Sequence, residues 1–214
     1  MVRKFMLSDV LRVSWSVYLS QIWILTGLII GYVIINLLLN LFVPSPFQGT
    51  MNAAGATLSL ISYLFSLLFT LGYTKNMFQA LDGVEPQFSA YGKESRKLFK
   101  ILFAGLLFSI IFAIGLALLI LPGFYLAIRL QFYYTSIVEE DTGVVSSLKR
   151  SWEITKGQEV PLLLLLLTEI MLAILGLLLF VIGIFITAPL IAMMNCYVFR
   201  KLTVIMTEEI DING

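Results

Sequence analysis

The chain has 214 residues, 59% hydrophobic and 13% charged, with net charge +1; a soluble domain carries about 25% charged residues. It has no histidine and one cysteine. That removes imidazole acid–base chemistry, an intramolecular disulfide and any Cys/His zinc pattern, so no cofactor and no metal are expected. Near-neutral charge gives no footprint for nucleic acid. Several apolar runs reach the roughly 18–20 residues that cross a bilayer core as a helix. The expected fold is an all-α integral membrane protein forming one domain over residues 1–214.

The basic start "MVRKFM" is followed by a polar, Ser-rich segment and then an apolar run too long for a cleaved signal, so that run is expected to be retained. Ser8 is the expected cap of a helix covering about residues 8–20, with Leu7, Val10, Leu11, Val17 and Tyr18 at helical spacing. Trp15 and Arg12 place this helix in the membrane interface. The first span is 21–43, and "PSPFQGTMN" (44–52) is an uncharged turn. Small and hydroxyl residues fill the second span, 53–74, with a long polar connection after it. There, "FSAYGKESRKLFK" marks a second basic approach helix over about 88–100, followed by the third span, 101–121. Pro122-Gly123 allow a tight reversal into a short, polar fourth span, 122–138. A third approach helix is expected over 143–157, with Asp141 or Thr142 starting it, Gly157 ending it, and Val145, Leu148 and Trp152 on one face. The 40-residue apolar stretch that follows divides into spans five (159–179) and six (183–200), turning near Val181–Gly183.

Positive charge orients these spans. Arg3, Lys4 and Arg12; Lys75, Lys93, Arg96, Lys97 and Lys100; Lys149, Arg150 and Lys156; and Arg200 and Lys201 all fall on one side, leaving only Arg129 within the membrane. Lysine and arginine in short loops mark the cytoplasmic face. Six transmembrane helices in three hairpins follow, each hairpin preceded by a cytoplasmic interfacial amphipathic helix, with both termini cytoplasmic. The stretches Leu11-Arg12-x-Ser14-Trp15 and Leu148-Lys149-x-Ser151-Trp152 share one spacing, the mark of a repeated helix-plus-hairpin unit. In the middle unit the bases persist without the tryptophan. Trp15, Trp152, Arg12, Lys149 and Arg150 are therefore expected as interface anchors on membrane lipids.

Two charges interrupt the spans, Arg129 and Glu169. A charge at the helix centre costs roughly 2.5–3.5 kcal/mol, so an Arg129–Glu169 ion pair or a shared polar cavity is expected. A clamp between hairpins is the plainer role for the pair, a substrate or proton site the bolder one. Asn36, Asn40, Gln131, Tyr133, Tyr134, Thr168 and Asn195 are further polar candidates, each more readily an interhelical hydrogen bond than a site. Gly27 and Gly31 form a GxxxG pair suited to a helix contact.

"LPGFYLAIRLQFYYTSIVEEDTGVVSSLKRSWEITKG" (121–157) combines a Pro-Gly-x-Tyr-Leu span bearing an internal arginine, an acidic turn and a Leu-Lys-Arg-Ser-Trp-x-x-Thr-x-Gly elbow. In this it resembles the bacterial membrane-protein family related to the membrane domain of glycerophosphoryl diester phosphodiesterase, which includes standalone six-span members. The resemblance implies a six-span fold in a bacterial cytoplasmic (inner) membrane. It does not carry the phosphodiesterase activity, because the chain lacks the length and histidines of the catalytic part. The expected role is non-enzymatic, a scaffold or accessory subunit in envelope maintenance, with lipids and a membrane-protein partner or a second copy as partners. The alternative is a small transporter or lipid-handling protein using Arg129 and Glu169.

Overall fold

The computed structural model describes residues 5–41, 53–179 and 182–213. The expected turn at 44–52, Val181, and the bases Arg3 and Lys4 lie outside them. Among the described residues the chain is α-helical and contains no strand. Five helical segments are long and apolar enough to cross a membrane: Ile22–Leu41, Gly55–Leu81, Ser89–Ala117, Glu159–Leu178 and Ile184–Glu208. Their outward faces stay greasy, as Leu37, Leu41, Leu167, Met171 and Leu177 show. Such an exposed apolar surface suits lipid as solvent.

Three similar units follow one another. In the first, α1 (Leu7–Ser20) precedes α2 (Ile22–Leu41) and α3 (Ala53–Leu81). In the second, α4 (Ser89–Glu94) and a 3-10 turn (Ser95–Lys97) lead into α5 (Leu98–Leu118), then α6 (Ile120–Leu130) and α7 (Tyr133–Glu140). The third has α8 (Val144–Ile154), α9 (Glu159–Leu178) and α10 (Ile184–Asn213). Within each unit the long helices pair antiparallel, as Tyr32–Ser66, Gly115–Gly123 and Glu169–Asn195 contacts show.

The units pack as a ring. The short helix of each rests on the closing helix of the unit before it: α4 on α3, α8 on α7 and α6, and α1 on α10, which closes the circle. Each opening long helix also touches its neighbour's closing helix, as α5 does α3, α9 does α6 and α2 does α10. The closing helices α3, α7 and α10 therefore meet at the centre. Met77, Phe78, Phe132, Met193 and Phe199 fill that centre, all fully buried, with Phe199 in ring contact with both other phenylalanines.

Several sequence expectations need correction. Leu7 opens α1 behind Met6 with no side-chain cap, so Ser8 lies inside the helix. Leu81, not Thr74, ends α3, because Leu71, Thr74, Met77 and Phe78 continue the buried spacing through the polar connection. α10 runs past residue 200 to Asn213 because Val198, Leu202 and Ile205 keep burying at three- and four-residue intervals. The second approach helix does not stand apart: α4 passes through its 3-10 turn straight into α5. The third begins at Val144 behind Gly143, while Asp141 adopts a left-handed conformation that ends α7. Gly157, with φ 75°, sits in the turn closing the elbow, as expected. Val145 is exposed, and the buried face of α8 is Ser147, Leu148, Ser151 and Ile154.

The segment expected as a continuous fourth span is two helices, α6 of 11 residues and α7 of 8, separated at Gln131 and Phe132. The reversal before it falls at Leu119, which is extended (φ −165°, ψ 148°), three residues ahead of Pro122. There a Cβ on Gly115 would come within 2.9 Å of the Gly123 Cα, and one on Gly183 within 2.9 Å of the Gly176 Cα. Two hairpin tips thus close through glycine pairs.

Candidate functional site

The break between α6 and α7 leaves backbone groups without helical partners, and the elbow α8 supplies them. Ser151 Oγ accepts a hydrogen bond from the Phe132 N–H (3.1 Å) and donates to the Arg129 carbonyl (2.8 Å). Thr155 Oγ1 shares its one proton between the Ser151 carbonyl (2.7 Å) and the same Arg129 carbonyl (3.1 Å). A buried helix interruption without such partners would cost several kcal/mol per group in hydrocarbon.

Arg129 is held at this splice, with its side chain 2% exposed. Its guanidinium pairs with Glu159 at the start of α9 (3.0 Å), donates to the Trp152 carbonyl (2.7 Å) and lies 4.3 Å from the Trp152 ring centroid. Trp152 in turn meets Tyr125 edge-on at 6.0 Å. The predicted Arg129–Glu169 pair is not formed. Glu169 instead accepts from Asn195 on α10 (2.8 Å), so the two charges find different partners, each at its own helix junction.

The repeated Ser-Trp stretch keeps one disposition in both units. Ser14 and Ser151 are fully buried, while Trp15 and Trp152 are 44% and 40% exposed. Their partners differ, because α1 rests on the unbroken α10 and Ser14 Oγ is buried without a hydrogen bond. Arg12 and Lys149 are exposed. Arg150 is not a free anchor: it forms a forked ion pair with Glu140, which holds its guanidinium more firmly protonated than usual.

The acidic run closing α7, expected only as a turn, is the hub of the charged end. Glu139 accepts from Arg200 of α10 (2.6 Å) and Lys75 of α3 (3.4 Å), joining all three closing helices. Arg200 also binds Asp82, and this drives the Asp82 carboxyl below its usual range. Asp141 takes Lys100 at 3.0 Å, which likewise lowers its pKa. Lys97, though 4% exposed, reaches the Val138 carbonyl (2.8 Å) and Glu94 (2.8 Å). Three consecutive acids followed by a basic elbow were the available signal.

The remaining predicted residues are scattered. Asn36 accepts from Ser62 (3.0 Å) and Asn40 donates to Ser62 (3.3 Å), tying α2 to α3, while Asn40 also donates to the Asn36 carbonyl (2.8 Å) within α2. Thr168 bonds within its own helix. Gln131 lies at the break with its amide nitrogen buried and unpartnered. Tyr133 stacks on Phe108 (5.3 Å) and meets Tyr134 edge-on. Gly27 and Gly31 make no helix contact; a Cβ on either would meet open space in a groove lined by Trp23, Tyr32, Phe69 and Tyr91.

A ring of units held by buried hydroxyls and ion pairs at one end is an assembly site for the fold itself. Residues 94–208 match the family described as a domain of unknown function (DUF7847). The chain belongs to that family, whose match runs from the end of α4 through most of α10, covering the α6–α7 break and the elbow that splices it. No curated protein and no solved structure matches the chain.

Proposed function

We propose that this is a non-enzymatic integral membrane protein that works as a scaffold or accessory subunit, presenting its outer helix faces and elbows to a membrane partner or a second copy. The observation that carries the reading is how the interior polar groups are used. Arg129, Glu139, Ser151, Arg150 and Lys97 are each engaged with another helix, and the meeting point of α3, α7 and α10 is filled by apolar side chains. Function is then left to the periphery. A transporter site around Arg129 and Glu169 would need the two in one cavity, and they have separate partners.

In this reading α6 and α7 together make a sixth crossing. End to end they supply about 30 Å of helix, the thickness of a hydrocarbon core. Both termini and the elbows face the cytoplasm, since the clustered bases lie at the end where Glu139, Glu140 and Asp141 gather. The host is a bacterial cytoplasmic membrane, and envelope maintenance the setting, following the resemblance to the glycerophosphoryl diester phosphodiesterase membrane-domain family.

Native mass spectra of the protein gently extracted from its own membrane test the role. A co-purifying protein or second copy retained in Arg129→Leu is the expected result. A small molecule that vanishes in that variant would overturn the scaffold reading in favour of binding or transport.

A further inference from the structure

A cavity of about 550 Å³ lies between α3, α5 and α7; Tyr133, the first residue after the spliced break, lines it, while neither Arg129 nor any residue of the charged hub does. Its floor includes the fully buried Ile101, and its rim the exposed Tyr63, Phe103 and Leu106. Phe108 and Tyr133 stack along one wall. No charged side chain lines it among the described residues, yet two tyrosines and Ser109 do.

The hydroxyls of Tyr63 and Tyr133 have no hydrogen-bond partner among the described residues. Ser109 donates to its own helix at Gly105 (2.8 Å), which leaves its oxygen as an acceptor only. Two unmet donors in an apolar wall are costly in hydrocarbon, where neither water nor backbone can answer them. About 9 Å of helix separates Tyr133 from Glu139 at the charged end, so the site lies below the depth of lipid phosphates. A charged headgroup would find no counter-ion there. A neutral acceptor would find two donors and an aromatic wall.

We propose that this cavity binds the carbonyl-bearing head of a neutral, hydrocarbon-tailed molecule, with the tyrosine hydroxyls donating to its oxygens and the tail leaving past Phe103 and Leu106. A lipophilic quinone and a diacylglycerol share this chemistry. The inference is independent of the scaffold role, because it concerns a different surface from Arg129 and is read by ligand affinity rather than by partner retention.

The test titrates the full-length protein in ether-lipid nanodiscs, which lack ester carbonyls, with decyl-benzoquinone in one arm and dioleoylglycerol in the other, followed by native mass spectrometry. The variant is Tyr63→Phe/Tyr133→Phe, which keeps both rings and removes both hydroxyls. Saturable binding of one probe, weakened about tenfold in the double variant, is expected, and the probe that binds names the source. Leu106→Trp, which narrows the mouth without touching the donors, should abolish the same binding. If neither probe saturates, or if affinity is unchanged in both variants, the proposal is wrong.

Discussion

Ser14 and Ser151 occupy the same position of a repeated motif with equal burial, yet replacing them by alanine should have opposite effects. In Ser151→Ala the Phe132 N–H loses its acceptor, whereas the Arg129 carbonyl keeps Thr155. One buried backbone donor is orphaned, at about 1–3 kcal/mol. Alanine's better helix propensity returns about 0.5 kcal/mol, so a net loss of about 1.5 kcal/mol is expected. Adding Thr155→Val orphans the carbonyl too and should bring the total to about 3 kcal/mol. In Ser14→Ala no bond is lost, because the hydroxyl has none, and removal of a buried unpaired group should leave stability equal or raise it by up to about 1 kcal/mol. SDS-titrated unfolding in mixed micelles, followed by far-UV circular dichroism, reads all three variants. If Ser151→Ala unfolds with the wild type, or Ser14→Ala loses as much as Ser151→Ala, the splice does not do what its geometry implies.

Arg129 should couple to Glu159 and not to Glu169: a double-mutant cycle with Arg129→Met should give about 1 kcal/mol of interaction with Glu159→Gln and additivity with Glu169→Gln. Glu139→Gln should cost about 2 kcal/mol, more than Glu153→Gln on the exposed face of α8, since it weakens contacts to two closing helices at once; the same unfolding assay decides. Asp82 and Asp141 have pKa values held below normal by Arg200 and Lys100. Their stabilisation is complete above about pH 4–5 and drains away as pH falls through the depressed folded values; Asp141→Asn should flatten that acid limb, and an unchanged limb would count against it. Gly27→Ala and Gly31→Ala should be neutral or slightly stabilising in the open groove, while Gly123→Val at the hairpin tip, where a Cβ already meets the Leu116 backbone nitrogen at 2.9 Å, should fail to reach wild-type yield of folded protein. Size-exclusion profiles in detergent check both.

The helical class and the apolar segments were legible in the chain because they rest on local quantities: length of apolar run, Ser-Trp spacing and the punctuation of Gly157. So was the kinship of the first and third elbows, whose serines bury and whose tryptophans face outward in both. Tertiary packing decided the rest. Nothing local marks Gln131–Phe132 as a break, since the residues on either side favour helix; the interruption is tolerated because Ser151 and Thr155, some twenty residues later, satisfy the freed groups. Likewise Arg129 and Glu169 are the two charges a reader of the chain would pair, but helix rotation and the ring order of the units hand Arg129 to Glu159 and Glu169 to Asn195. A residue's depth follows from its distance along one helix, whereas its partner depends on how three helices turn relative to one another. That rotation is set by the packing of Met77, Phe78, Phe132, Met193 and Phe199 at the centre, a many-body fit that no periodicity in the sequence encodes.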